Sequence, residues 1–201
     1  MKRFILATTA ALALAACSDT SPVIDTRSPP ASPNHLLIYG AVQTIFTSET
    51  PASTIDATGG WEVSTAFSID TDGKISGYRF WKAVGETGTH TIRLWDASGN
   101  LLESKTLASE TSSGWQSVSS NKLVSAGDYV VSVNTNVKQV KSYAYFTNNG
   151  PIAHDDLYAD FSYYGQPTGS FPTSGSGSTY FVDVNFRPYI CNTLVDSPCP
   201  P

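Results

Sequence analysis

The chain has 201 residues, with 12 basic against 17 acidic side chains and a net charge of -5 at pH 7. That balance, without a Lys/Arg cluster, excludes nucleic acid and other polyanions as expected partners. A body poor in charge and rich in Ser, Thr, Gly and Asn, with 10 tyrosines and 9 phenylalanines, is typical of exported β-proteins.

Met1-Lys2-Arg3 opens the chain, and an uncharged run from 4 to 16 follows. A basic start, a short apolar run and small residues before a cut site describe a secretory signal peptide. The run is shorter than the roughly 20 apolar residues of a membrane span. Leu14-Ala15-Ala16-Cys17 resembles the bacterial lipobox, in which the cysteine is diacylated and becomes the first residue of the mature chain. Each buried acyl CH₂ contributes about 0.8 kcal/mol, so several chains anchor durably where one holds only marginally. In Gram-negative lipoproteins a serine after the cysteine, here Ser18, implies export to the outer membrane. Removing residues 1–16 takes Lys2 and Arg3 and no acid, leaving 10 basic and 17 acidic side chains, a net charge of -7.

Residues 17–34 read as the lipidated cysteine and a Pro/Ser-rich tether, polar and without an apolar period. The β-domain is expected over 35–187, and strand follows strand within it. Segments 43–46, 61–69, 74–82, 89–95, 101–107, 114–118, 128–135, 141–147 and 179–186 are short and rich in Val, Ile, Thr and aromatics. Gly, Asn, Asp, Ser and Pro separate them. Tyr180, Val182, Val184 and Phe186 alternate onto one face, with Thr179, Asp183 and Asn185 on the other. Apolar residues do not recur at helical spacing, so eight or nine strands in an antiparallel two-layer β-sandwich, jelly-roll or immunoglobulin-like, are predicted.

Asp70–Gly73 and Asp96–Asn100 place Gly where positive φ is needed and Asp where a side chain can close the turn. The segment 148–178 shows little alternation and reads as a long aromatic loop, of the kind that often carries function. In the tail 188–201, Cys191 and Cys199 form an even pair suited to an oxidising compartment, and a disulfide staple is expected there. Zinc is not, since a tetrahedral site needs four ligands.

Four blocks in order carry a family likeness: "ISGYRFWKAVGETGTHTIRLWDASGNLLES", "ETSSGWQSV", "VSAGDYVVSVNT" and "GSFPTSGSGSTYFVDVNF". They resemble the bacterial domain-of-unknown-function family 4082 of secreted and cell-surface proteins, over about 43–186. Trp81 stands where the family commonly has tyrosine, and Phe181 where it has tryptophan. The family sits beside immunoglobulin-like and carbohydrate-active modules in larger proteins. The resemblance therefore implies an accessory β-sandwich suited to glycans and supplies no chemistry.

Among the catalytic readings, a hydrolase triad lacks support. There are three histidines and no G-x-S-x-G elbow. Paired carboxylates among Asp155, Asp156, Asp160 and Asp183 could serve a glycosidase, but turn capping and surface solvation are the favoured reading of them. The chain is read as a non-enzyme that requires no cofactor. Asp155, Asp156 and Asp160, in "HDDLYAD", could supply oxygen ligands to a structural calcium. On strand 89–95, His90 shares the inward face with Ile92 and Leu94 and reads as a structural histidine. Arg93 and Trp95 lie on the other face, as a cation–π pair or a recognition patch. With Tyr158, Tyr163, Tyr164 and Phe171 of the long loop they form the predicted ligand-binding set. The expected function is an envelope lipoprotein displaying a non-catalytic carbohydrate-binding module. The alternatives are a structural or protein-interaction module that meets another envelope protein, and a glycan-active enzyme.

Overall fold

The computed structural model describes residues 37–192, with side chains from Ile38 to Ile190. The signal peptide, Cys17, the tether and the proposed Cys191–Cys199 bridge therefore lie outside the described side chains. Among the described residues there are thirteen strands and one short helix. In chain order they are β1 (Leu37–Tyr39), β2 (Ser53–Asp56), β3 (Trp61–Ile69), β4 (Gly73–Lys82), β5 (Thr91–Asp96), β6 (Leu101–Thr106) and β7 (Gly114–Val124). There follow β8 (Gly127–Thr135), β9 (Lys138–Lys141), α1 (Tyr145–Asn149), β10 (Ile152–His154), β11 (Leu157–Gly165), β12 (Ser174–Ser176) and β13 (Val182–Asn192).

Two antiparallel sheets face each other. One has the order β1-β13-β4-β7; the other runs β10-β11-β3-β8-β5-β6, with β12 paired to β11. Successive long strands cross from sheet to sheet: β3 lies in the second, β4 in the first, β5 and β6 in the second, β7 in the first and β8 in the second. β13 returns to the first sheet between β1 and β4, which gives the doubly wound Greek-key path of a jelly roll. The β10–β12 segment is an addition between β8 and β13 that widens the second sheet beside β3. A small β2–β9 pair completes the set.

Alternation decides which side chains meet between the sheets. Val63, Phe67 and Ile69 of β3, Ile92 and Leu94 of β5, and Val131 and Val133 of β8 face Ile75, Tyr78 and Phe80 of β4 and Val182, Val184 and Phe186 of β13. The opposite faces of β3 and β8 carry Glu62, Ser64, Ala66 and Ser68 beside Asn134, Ser132, Val130 and Asp128. Gly73 shows how tight the crossing is. A Cβ there would lie 2.4 Å from the Phe186 ring and 2.5 Å from the Arg187 carbonyl oxygen. Because one obstacle is backbone, Gly73→Ala is expected to cost about 1–3 kcal/mol, measured by urea unfolding of the full chain.

The sheet edges differ in character. β1 and β10 are three residues each. Edge strand β6 carries a Lys105–Glu103 ion pair at 3.1 Å, and edge strand β7 presents Ser117, Ser119 and Asn121 to solvent.

Several sequence expectations change here. The segment 148–178 is no simple loop: it holds the end of α1, then β10, β11 and β12. Its alternation is broken by a register shift between Tyr158 and Phe161, a bulge that leaves Asp160 exposed and Phe161 partly exposed in succession. Segment 43–46 makes only an isolated bridge between Gln43 and Phe186. Segment 141–147 turns out of the sheet at Ala144, whose φ is 49°, and enters α1. β13 continues past Phe186 to pair with β1, so Pro188 to Asn192 belong to the sheet.

Candidate functional site

The outer face of the wide sheet is half covered and half open. The cover is the stretch 166–173 between β11 and β12, which lies against the polar face of β3, β8 and β5. Its Gly169 N–H donates to Glu62 Oε2 at 2.8 Å. The Phe171 ring meets Trp95 edge-on, with centroids 5.7 Å apart. Gly99, at φ 81°, also lies under Phe171, where a Cβ would come within 3.2 Å of the ring.

Under this strap is a buried polar knot. Glu62 is fully buried and accepts from Arg93 Nη1 at 3.1 Å on both oxygens. Ser132 Oγ donates to Glu62 Oε1 at 2.5 Å, and Trp95 Nε1 donates to Ser132 Oγ at 2.8 Å. Burial pushes the Glu62 carboxyl above the usual glutamate range, against the pull of Ser132, Gly169 and Arg93.

Beside the strap the face opens into a groove of about 390 Å³. Its lining comes from five places: Ala66, Phe67 and Ser68 on β3; Asp128, Tyr129 and Val130 on β8; Asp160, Phe161 and Tyr163 on β11; Ala97 after β5; and Phe171 of the strap. Three aromatics form a connected wall. Phe161 and Tyr163 are 5.2 Å apart edge-on, and Tyr163 and Phe171 are 6.0 Å apart. The Ser64 hydroxyl both accepts from Tyr163 N–H and donates to its carbonyl oxygen, each at 3.0 Å, which fixes Tyr163 against the sheet. Polar groups interrupt this wall. Ser68 Oγ donates to Asp128 Oδ1 at 2.7 Å, and both Asp128 and Asp160 are exposed.

Of the predicted binding residues, Tyr163 and Phe171 line the groove, and Tyr158 is 39 % exposed on the same strand opposite Ser68. Three others do not. Tyr164 alternates away from Tyr163 and packs with Trp61 and Tyr180 at 5.9 and 6.2 Å. Trp95 is only 5 % exposed, its ring roofed by Phe171 and its N–H spent on Ser132. Arg93 is neither stacked with Trp95 nor open for recognition, because Glu62 claims its guanidinium. The arginine that does stack on a tryptophan is Arg79, over Trp115, 4.2 Å from the ring centroid.

The predicted calcium trio is also dispersed. Asp156 accepts from Gln43 Nε2 at 2.7 Å, Asp155 holds the tight β10–β11 turn at φ 52°, and Asp160 lies in the groove. Among the described residues, Asp, Glu, His and Cys do not gather in threes around a metal position. Asp183, weighed as a glycosidase acid, is fully buried. It accepts from Arg79 Nη2 at 2.6 Å and from the Ile45 and Phe46 amides at 2.9 and 3.2 Å. Burial pushes its carboxyl up, and those three donors pull it back.

Asp128, Ser68 and Phe161 belong to the groove and were absent from the predicted set. Alternation along 61–69 and 128–135 would have placed Ser68 and Asp128 on one polar face. Phe161 was hidden by the bulge. His90 faces inward as expected and is fully buried. Its Nε2 lies 2.9 Å from Glu86 and its Nδ1 2.7 Å from Glu110, which also takes Lys82 Nζ at 2.8 Å.

The family comparison matches a model described as "Domain of unknown function (DUF4082)" over residues 48–182. That stretch runs from the loop before β2 to the first residue of β13, and so includes both walls of the groove. The chain belongs to the DUF4082 family. A second match, to a prokaryotic membrane lipoprotein lipid attachment site, spans residues 1–18 and includes Cys17. The molecule is thus an exported, lipid-anchored envelope protein carrying one all-β DUF4082 domain. No curated protein matches the chain.

Proposed function

We propose that this domain is a non-catalytic carbohydrate-binding module, displayed from the outer membrane by the lipid on Cys17. The outer-membrane assignment rests on Ser18, which follows the cysteine where inner-membrane retention would call for Asp. The binding assignment rests on the groove: Phe161, Tyr163 and Phe171 make an aromatic wall between exposed carboxylates on a rigid sheet. Pyranose rings present C–H faces to aromatic planes and hydroxyls to acceptors at their rim, and the groove offers both together.

Its carboxylates favour binding over hydrolysis. A glycosidase needs one carboxyl kept protonated by an apolar enclosure, and Asp128 and Asp160 are both open to solvent.

The test is glycan binding by the full acylated chain in uncharged detergent micelles. Tyr163→Ala should weaken binding about tenfold, equivalent to about 1.4 kcal/mol. Leu123→Ser, on the other sheet, should leave it unchanged. Absence of binding across a broad glycan panel by the folded protein, or equal affinity in Tyr163→Ala, defeats the assignment.

A further inference from the structure

The groove's charge narrows what it can take, an inference that rests on the carbohydrate reading above. Asp128 and Asp160 approach the aromatic wall from β8 and from β11, which lie on either side of β3. The Asp160 carboxylate makes no hydrogen bond or ion pair among the described residues. Asp128 spends Oδ1 on Ser68 and leaves Oδ2 open. Asp96, next to the lining residue Ala97, is turned inward on its own loop by bonds from Ser98 N–H, Asn100 N–H and Asn100 Nδ2 at 2.8–2.9 Å, and it adds negative field without donating.

No Lys or Arg is among the described lining residues. The nearby cation Arg93 lies beneath the strap and is neutralised by fully buried Glu62. Every free charge facing the groove is therefore an acceptor of negative sign. An anionic sugar would meet two like charges without a donor to offset them. An ammonium substituent would meet two open carboxylates beside an aromatic wall that holds its ring.

We infer that the groove selects glycans bearing free amino groups, such as glucosamine polymers, and rejects uronic-acid polymers. Aromatic stacking supplies the common affinity, and Asp128 and Asp160 supply the choice.

The experiment measures affinity of the full chain in uncharged detergent at neutral pH and low ionic strength. Its probes are glucosamine, N-acetylglucosamine and galacturonic acid oligomers of equal length, with oligolysine as a charge-only control. The glucosamine oligomer should bind about tenfold tighter than its N-acetylated form, two exposed pairs contributing a few-fold each. The uronic-acid oligomer should bind more weakly than either. Asp128→Asn/Asp160→Asn should abolish the preference and keep the neutral affinity, and added salt should narrow the gap.

Equal binding of neutral, amino and acidic oligomers overturns this inference and leaves carbohydrate binding standing. Failure of all three while other sugars of the broad panel bind overturns this inference alone, and failure across the whole panel overturns both. Oligolysine binding as tightly as the glucosamine oligomer also overturns it, because the aromatic wall would then contribute nothing.

Discussion

Asp183→Asn is expected to destabilise the domain by about 3–5 kcal/mol. The carboxylate is fully buried and joins three parts of the chain: β13, Arg79 on β4, and the Ile45 and Phe46 amides. Asn presents one acceptor oxygen where the carboxylate presents two, so a buried amide or the guanidinium loses its partner. Arg79 also accounts for the stacking on Trp115 and donates from Nη2 to the Phe46 carbonyl oxygen, so a loosened Arg79 releases the 45–46 segment as well. A fall in Tm of roughly 10 °C should accompany the loss. A change below about 1 kcal/mol would show that Arg79 and the amides find water instead.

His90→Leu should be comparably severe, about 3–5 kcal/mol, and should also flatten the pH dependence. Both ring nitrogens of the buried imidazole face carboxylates, Glu86 on one side and Glu110 on the other, and Phe80 lies 4.9 Å from the ring. Glu86 does more than pair: its oxygens accept from the amides of Asn136, Val137 and Lys138, tying the β8–β9 turn to the loop between β4 and β5.

Burial pushes both glutamates up. For Glu86, His90 and the three amides outweigh it; for Glu110, Lys82 and His90 do. Both carboxyls are thus held below the ordinary glutamate value. A depressed carboxyl contributes stability that is fully present above its unfolded pKa, near 4.5, and is lost as pH falls through the folded value. Wild type should therefore lose stability on acidification from about pH 5 downward.

In His90→Leu the two carboxylates lose the group between them, while the three amides on Glu86 and Lys82 on Glu110 remain, so burial is less fully offset. The variant should lose less stability than wild type as pH falls over the same window. Urea unfolding of both proteins from neutral to acid pH reads the two slopes directly. Parallel slopes would contradict the assignment of the imidazole as the group that holds Glu86 and Glu110 down.

Much of the sandwich was legible because its long strands keep a period of two over most of their length, β4 slipping once between Ile75 and Gly77. β3 was predicted at both ends, and β4, β5 and β8 to within a residue or two. The split of His90, Ile92 and Leu94 from Arg93 and Trp95 is the one observed, as shown by the pairing of Ile92 with Val133 and of Arg93 with Ser132. β11 escaped because the bulge at 158–161 breaks the period. β12 escaped because Ser-Gly-Ser carries no apolar signal.

The site was half legible for a different reason. Tyr163 and Phe171 could be named from composition, but what covers what could not. Trp95 and Arg93 sit on an outward face and would be exposed if the sheet ended there. Residues 166–173, about seventy positions further along, fold back over them and convert a recognition surface into a packed one. No local pattern around 89–95 records that return. His90 likewise could be placed inward by alternation, whereas its partner Glu110 is twenty residues away across a hairpin.

The borders of the two sheets bear on life at a membrane. Acylation confines many copies to one plane, where neighbours meet far more often than in free solution and an open strand margin invites intermolecular β-pairing. Among the described residues β1 and β10 offer three residues apiece, too little to template a stable addition. β6 sets Glu103 and Lys105 along its margin, and β7 sets out Ser117, Ser119 and Asn121. Short or polar borders of this kind disfavour edge-to-edge pairing within a crowded layer of such domains.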